Sequence, residues 1–559
     1  MSDHRFRRSR RYARLPLLVA VVALAAFAAA AVAAADDNPQ PIDFTHNVFN
    51  APSPVPGTVW ANGPNVKTGT AICSTTTTTD ANVNTDCEEN GPHNETSIAV
   101  DPNNANHIIG GANDYQLALN PGGHLGETIL SRAHVTFDGG QTWSEYPVFS
   151  DSSYTATGDP SVAFDASGHA YYATLGFRFV GSRNVQNADV LVSTSGDGGK
   201  SWAVHRVAQG SGVATSVGAS LDKEYVAAWG DGNAIVTWGD FVQVQKGSVL
   251  GTKLFDSVTH DGGKTWSAPT LISGALDQGF VATPAVTSDG RIFVSFLDTV
   301  NLDPTSAGFG RDDYMVVQVD PNTGAPLEAP QTVGHVIDGN FDFPWNTIDF
   351  RPTYQDSMFR TWAAGNIAAD PADPNRLAVV WSDMRNTAGL PFLPFPASSY
   401  AVTTNSDVVV SESTDGGATW SDPTAIALRG DQFMPWAAFD GSGTLRIGFF
   451  DRSYDPANHK YGYTVAAETS PGVFTDTEAS TELSDPTMHD RWFPRNADPG
   501  FPNATGFLGD YSNIAAIPGT SDGIVAYWTD MRNENCWSLP AGCGRTGEDA
   551  YFAKVGGAG

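Results

Sequence analysis

Thr136-Phe137-Asp138-Gly139-Gly140-Gln141-Thr142-Trp143 is a stretch whose chemistry admits few structures. Two adjacent glycines supply backbone free to take positive φ, and the aspartate before them offers a carboxylate to N–H groups that a tight turn leaves unpaired. The stretch reads as a hairpin tip, with Trp143 opening the return strand and its ring packing over the turn. The pattern [Ser/Thr]-x-Asp-Gly-Gly-x-[Ser/Thr]-Trp returns with Asp197 and Trp202, with Asp261 and Trp266, and with Asp415 and Trp420. Four recurrences make this a repeat protein. The first three are nearly evenly spaced, and the gap before the fourth is wide enough for two units, so one unit there has lost its box.

A second repeat runs through the same region. An apolar strand, a turn with Asp or Gly, and a strand rich in aromatic and β-branched residues recur seven times, with first strands near Ser97, Ser161, Tyr225, Thr283, Ala364, Trp436 and Ser512. Each second strand alternates apolar with small or polar residues, as a strand packed between neighbouring blades should. The expected fold is all-β: a single β-propeller of four-stranded antiparallel blades, seven in number, or six if one pair is an inserted hairpin. The last unit ends after its third strand, residues 549–553. Residues 42–48 are expected to supply the missing outer strand and close the ring.

The ends of the chain speak to compartment. Six arginines in residues 5–14 precede an Ala/Leu/Val run over residues 15–35, and Asp36-Asp37 follow. This is an export signal, with Ala33-Ala34-Ala35 as the expected cleavage site. The alternative is an uncleaved anchor. Residues 1–35 are thus the signal, 36–92 an N-terminal extension, and 93–559 the propeller, in a secreted protein, or an envelope-associated one if the signal stays. Losing the signal deepens a formal charge already at −30, which disfavours nucleic acid as a partner. The four cysteines fall in two close pairs, Cys73/Cys87 and Cys536/Cys543, which in an exported chain suggest two local disulfides. Acidic loops offer oxygen ligands for structural calcium, although no EF-hand pattern is present, and no cofactor is required.

The boxes resemble those of the Asp-box proteins, the bacterial-neuraminidase-repeat group that includes sialidases, some glucanases and non-enzymatic receptors. That resemblance implies that Asp138, Trp143, Asp197, Trp202, Asp261, Trp266, Asp415 and Trp420 are structural, on the face away from the active site. A sialidase would hold a substrate carboxylate with three arginines, use a tyrosine activated by a glutamate as nucleophile, and use an aspartate as acid/base. The family's Phe/Tyr-Arg-Ile-Pro motif is absent here; the corresponding strand reads Asn94-Glu95-Thr96-Ser97-Ile98.

Turns alternate faces in a four-stranded blade, so the face opposite the boxes carries the loops after each second strand and before each first strand. Those tips hold Asp114, Arg178, Asp240, Asp298, Asp383 with Arg385, Asp451 with Arg452, and Asp530 with Arg532, joined by Glu95, Asp159, Lys223-Glu224 and Asp510-Tyr511. Arg385, Arg452, Arg532 and Arg178 are the candidate ligand-binding cations. Tyr511 is the candidate nucleophile, Glu95 or Asp510 its base, and Asp159 the acid/base. Near copies, Trp-Ser-Asp-Met-Arg-Asn and Trp-Thr-Asp-Met-Arg-Asn, leave a bracing ion pair equally open at Asp383/Arg385 and Asp530/Arg532. Two aromatic-rich inserts, residues 335–362 and 485–507, face the same mouth. The expected function is a monomeric, sialidase-like glycoside hydrolase acting on a glycan or polysaccharide; the alternative is a non-catalytic propeller that binds a glycan or protein.

Overall fold

The computed structural model describes residues 69–557 outside several stretches, the longest being 300–311, 387–403, 491–506 and 534–544. The signal segment, residues 42–48, Cys536 and Cys543 lie outside the described residues.

The alternating segments form seven four-stranded antiparallel sheets. Blade 1 comprises His93–Val100, Ile108–Leu119, Leu125–Thr136 and Ser144–Pro147, and blade 2 Ala156–Phe164, Ala170–Val180, Asn184–Ser195 and Ala203–Ala208. Blade 3 is Gly218–Trp229, Asn233–Gln245, Ser248–Thr259 and Thr270–Leu271, and blade 4 Gly279–Val286, Ile292–Asp298, Asp312–Val319 and Gln331–Val336. Blade 5 is Ile367–Ala369, Leu377–Asp383, Asp407–Ser413 and Thr424–Ile426, and blade 6 Gln432–Phe439, Leu445–Asp451, Gly462–Ser470 and Val473–Glu478. Blade 7 has Asn513–Ala516, Ile524–Asp530 and Asp549–Val555. Each first strand packs on the first strands of both neighbouring blades, from blade 1 round to blade 7 and back, so the ring is closed. The apolar core fills the spaces between blades rather than one centre.

Closure uses a different segment from the one expected. Asn82–Asn84, not residues 42–48, is the outer strand of blade 7, with Asn82 opposite Ala553 and Asn84 opposite Tyr551. The reason is reach in both directions. The chain just before this strand lies along the outer edge of blade 1, with Ile72 N–H donating to Glu145 O at 2.8 Å and Thr75 N–H to Trp143 O at 2.8 Å. One short segment therefore covers two neighbouring edges, and the Cys73–Cys87 disulfide, formed as expected, ties its two halves together.

The boxes sit between third and fourth strands. In the first, Asp138 Oδ1 accepts N–H bonds from Gln141 and Thr142 at 2.9 Å each, Oδ2 accepts the Thr142 hydroxyl, and Trp143 Nε1 donates to Gly140 O at 3.2 Å. Gly139 and Gly140 have φ of 72° and 96°, where a side chain would be strained. The carboxylate contacts repeat at Asp197, Asp261 and Asp415. The four box tryptophans are not equally buried. Trp143 is fully buried, whereas Trp202, Trp266 and Trp420 are half-buried, and Trp420 Nε1 has no partner. Trp143 is held by the N-terminal segment through Thr75 and meets the rings of Tyr527 and Phe552.

Inner strands share a further irregularity. The first-strand ladder slips between Asn94 and Ser97, Gly158 and Ser161, Asp222 and Tyr225, Phe280 and Thr283, and Phe433 and Trp436. At these bulges Glu95, Asp159, Lys223, Val281 and Met434 take φ between 50° and 59°. A bulge frees a residue from the ladder and re-aims its side chain, here around the axis. The strained backbone belongs to the architecture, because Val281 and Met434 adopt it as well.

Candidate functional site at the propeller axis

Three bulge residues of consecutive blades, Glu95, Asp159 and Lys223, come together with Asp510, which precedes the first strand of blade 7. Lys223 Nζ lies 2.8 Å from Asp510 Oδ2, 2.9 Å from Asp159 Oδ2 and 3.4 Å from Glu95 Oε1, and all four side chains are buried. An ammonium has three N–H donors and here faces three carboxylates. Second contacts fix the acids: Asn113 Nδ2 donates to Glu95 Oε2 at 2.8 Å, Asn113 Oδ1 accepts the Asp159 N–H at 2.8 Å, and the Asp510 N–H donates to Glu95 Oε1 at 3.1 Å.

Glu224, the next residue after Lys223, is also buried, and neither of its carboxyl oxygens has a hydrogen-bond partner. Burial, then the negative charges of Asp159 and Glu95, hold it well above the ordinary carboxylate range, and nearby Lys223 only partly offsets them. The cluster thus sets a carboxyl group whose pKa is raised by burial beside three carboxyl groups in contact with an ammonium. A carboxyl group raised in this way next to a second one is the elementary equipment of acid–base catalysis.

Tyr511, the candidate nucleophile, belongs to the same centre. Its hydroxyl donates to Pro160 O at 3.0 Å, its ring meets Tyr225 edge to face at 5.7 Å, and burial followed by the charges of Glu95 and Asp159 pushes its pKa well up. A phenol raised in this way is a poorer source of phenolate. Beside it a cavity lined by Tyr225, Phe280, Val281, Met434, Trp436 and Asp510 has room for little more than one water molecule.

Three of the candidate arginines, Arg385, Arg452 and Arg532, have other partners. Arg385 Nε and Nη2 bond Asp383 at 2.9 and 2.8 Å, and Nη2 also reaches His335 O on blade 4 at 3.0 Å. Arg532 makes the same pair with Asp530, at 3.0 and 2.7 Å, and reaches Asn82 Oδ1 of the closing strand at 3.0 Å. In both copies of the hexapeptide the aspartate also accepts the indole N–H of the tryptophan two residues before it. The hexapeptide is therefore a self-contained brace between blades. Arg452 is fully buried, bonded to Gln355 O at 3.0 Å and paired with Asp431 at 3.3 Å. The Arg178 side chain and most of the two aromatic inserts lie outside the described residues.

Lys223 and Glu224 are absent from the expected catalytic set. The signal was available: Glu95, Asp159 and Lys223 each stand two residues before the aligned strand positions Ser97, Ser161 and Tyr225.

No protein-family model matches this sequence, and no curated protein matches it. Among solved structures, the α-L-arabinofuranosidase of Fusarium graminearum in complex with arabinobiose aligns over 85% of this chain and 97% of its own, at 11% identity and a TM-score of 0.41. The α-L-arabinanase of Penicillium chrysogenum covers 85% of this chain and 98% of its own, at 12% identity and a TM-score of 0.40. A Hadza microbial sialidase covers 64% of this chain and 63% of its own, at 14% identity and a TM-score of 0.34. At these scores none of the three carries an argument about chemistry here.

Proposed function

We propose that the protein is an exported propeller that cleaves glycosidic bonds at the axial cluster, with Glu224 as proton donor. The observation that carries this reading is the buried carboxyl group of Glu224, its pKa raised by burial, next to the acids gathered round Lys223. Glycoside hydrolysis needs one carboxylic acid to protonate the leaving oxygen and one carboxylate to attack the sugar or activate water. Asp159 is assigned the second role, because its charge is the strongest of those that raise Glu224. Lys223, Glu95 and Asp510 position it. Tyr511 packs the floor, since its hydroxyl is engaged by Pro160 O. A sialidase-type reaction is the narrower form of this proposal, and it would require Tyr511 and the arginines to exchange their present partners.

The test is turnover of the secreted protein against sialosides, arabinosides and plant or microbial polysaccharides. Glu224→Gln should lower turnover by about 10²–10⁴-fold with the fold intact. The wild-type rate should fall as pH rises through the Glu224 pKa, because the acid form is then lost. A second reading, a non-catalytic glycan binder, is favoured by one observation: the Lys223 ammonium is engaged by Glu95, Asp159 and Asp510 of the protein itself. Wild-type protein that binds a glycan on the panel and leaves every substrate intact would establish that reading and reject hydrolysis.

A further inference from the structure

A second buried cluster lies at the seam between blades 1 and 7 and takes no part in the axial site. His93 opens the first strand of blade 1, His134 lies in its third and Glu145 in its fourth, and all three are fully buried. One ring nitrogen of each histidine and one Glu145 carboxylate oxygen lie within 4.8 Å of one another.

His134 is oriented from behind. Its Nδ1 is 2.6 Å from Thr85 Oγ1 and 2.9 Å from Tyr527 Oη, which leaves Nε2 facing Glu145 Oε1 at 3.9 Å with no hydrogen-bond partner. An orphaned ring nitrogen at the centre of a fully buried group of donors calls for an explanation, since buried polar atoms are ordinarily satisfied. His93 is flanked by Asp86 Oδ2 at 3.2 Å and Asp114 Oδ1 at 3.5 Å, and neither ring nitrogen makes a hydrogen bond of proper geometry. Carboxylates and hydroxyls behind imidazoles are the usual outer contacts of metal-binding histidines, where they set the tautomer and raise basicity. Glu145 Oε1 also accepts the Cys87 N–H at 3.0 Å, so the closing segment reaches the cluster directly.

We propose that His93, His134 and Glu145 bind one divalent transition-metal ion, which fastens the closing segment to blade 1. Two imidazole nitrogens and one carboxylate oxygen suit zinc, whereas calcium takes oxygen ligands alone. The ion replaces the missing partner of His134 Nε2, and its charge balances Asp86, Asp114 and Glu145, which share the pocket with Arg132. The competing arrangement is a metal-free network in which a protonated His93 lies between Asp86 and Asp114.

The experiment uses the whole chain. Elemental analysis of protein purified without chelator should find about one zinc per chain, removable by a strong chelator and restored by zinc sulfate. Cobalt(II) added to stripped wild-type protein should give the visible absorption of a four- or five-coordinate site. Removal should lower Tm by several degrees and expose the chain before His93 to proteinase K. His134→Ala and Glu145→Gln should lose the metal; His169→Ala, at the separate and more exposed group of Asp165, His169 and Asp231, should retain it. If the histidine variant fails to fold, cobalt binding to the wild type decides alone. Stripped wild type that takes up neither zinc nor cobalt, with Tm indifferent to chelator, overturns the proposal, as does full metal retention in folded Glu145→Gln.

Discussion

The Asp-boxes and the axial cluster are both built around carboxylates, and physics treats them in opposite ways. Asp261 is nearly exposed, and the Thr265 hydroxyl and N–H hold its pKa down to about 2. Its partners lie within four residues, so the turn carries its own compensation. Glu224 is buried beside Asp159 and Glu95, contributed by other blades, and its pKa is driven up. A box is a local object that any blade can carry. The axial cluster exists only when blades 1, 2, 3 and 7 have met.

That contrast predicts where substitutions hurt. Lys223→Met leaves three buried carboxylates without their common cation and should cost roughly 3–5 kcal/mol, read from denaturant unfolding. A loss below about 1 kcal/mol would mean that water already solvates the cluster and would break the comparison. Trp143→Ala should cost about 3–5 kcal/mol, as for other fully buried aromatics. Trp202→Ala, Trp266→Ala and Trp420→Ala should each cost roughly 1–2 kcal/mol, in keeping with their half-exposed rings. Equal losses at all four would show that the N-terminal segment contributes nothing to the first box.

Stability should also fall as pH rises. Burial holds Asp256 at about 8 and Asp407, Asp549 and Glu412 at about 7, so these groups keep their protons in the folded chain long after the unfolded chain has released them. The folded state binds more protons between the two sets of values, and Tm should therefore decline from about pH 5 to about pH 8. Both Asp256 carboxyl oxygens lack partners, so Asp256→Asn should flatten that decline and raise Tm at the alkaline end. An unchanged profile would place the proton uptake elsewhere. The smallest effect is expected at a single box carboxylate: Asp197→Ala, which removes short-range bonds from a partly exposed turn, should cost about 1 kcal/mol.

How much was legible follows from the range of each interaction. The box turns, the seven strand pairs and the Cys73–Cys87 pairing are written within short windows, so periodicity and turn chemistry reveal them. The closing strand is hard to read from sequence because Asn82–Asn84 is only three residues long with a single apolar side chain; it pairs where it does because residues 72–75 are bound to the edge of blade 1. The three tip arginines form a set in sequence, yet Arg385 and Arg532 are bonded to the aspartate two residues earlier in the same repeat. Loop position in the repeat also links Glu95, Asp159, Asp510 and Tyr511, which the structure brings together around Lys223. Lys223, which joins the first three, stands between Asp222 and Glu224 in sequence, and only the closed ring brings Glu95, Asp159 and Asp510 to its ammonium.

By itself the sequence determined a ring of seven repeated antiparallel sheets, because alternation and turn residues act over two to ten positions and are the same wherever the chain goes. Tertiary structure alone decided which carboxyl group has its pKa driven up, which tryptophan is sealed and that Arg385, Arg452 and Arg532 have internal partners. Burial and charge pairing are sums over neighbours that the chain brings together only once the ring has closed.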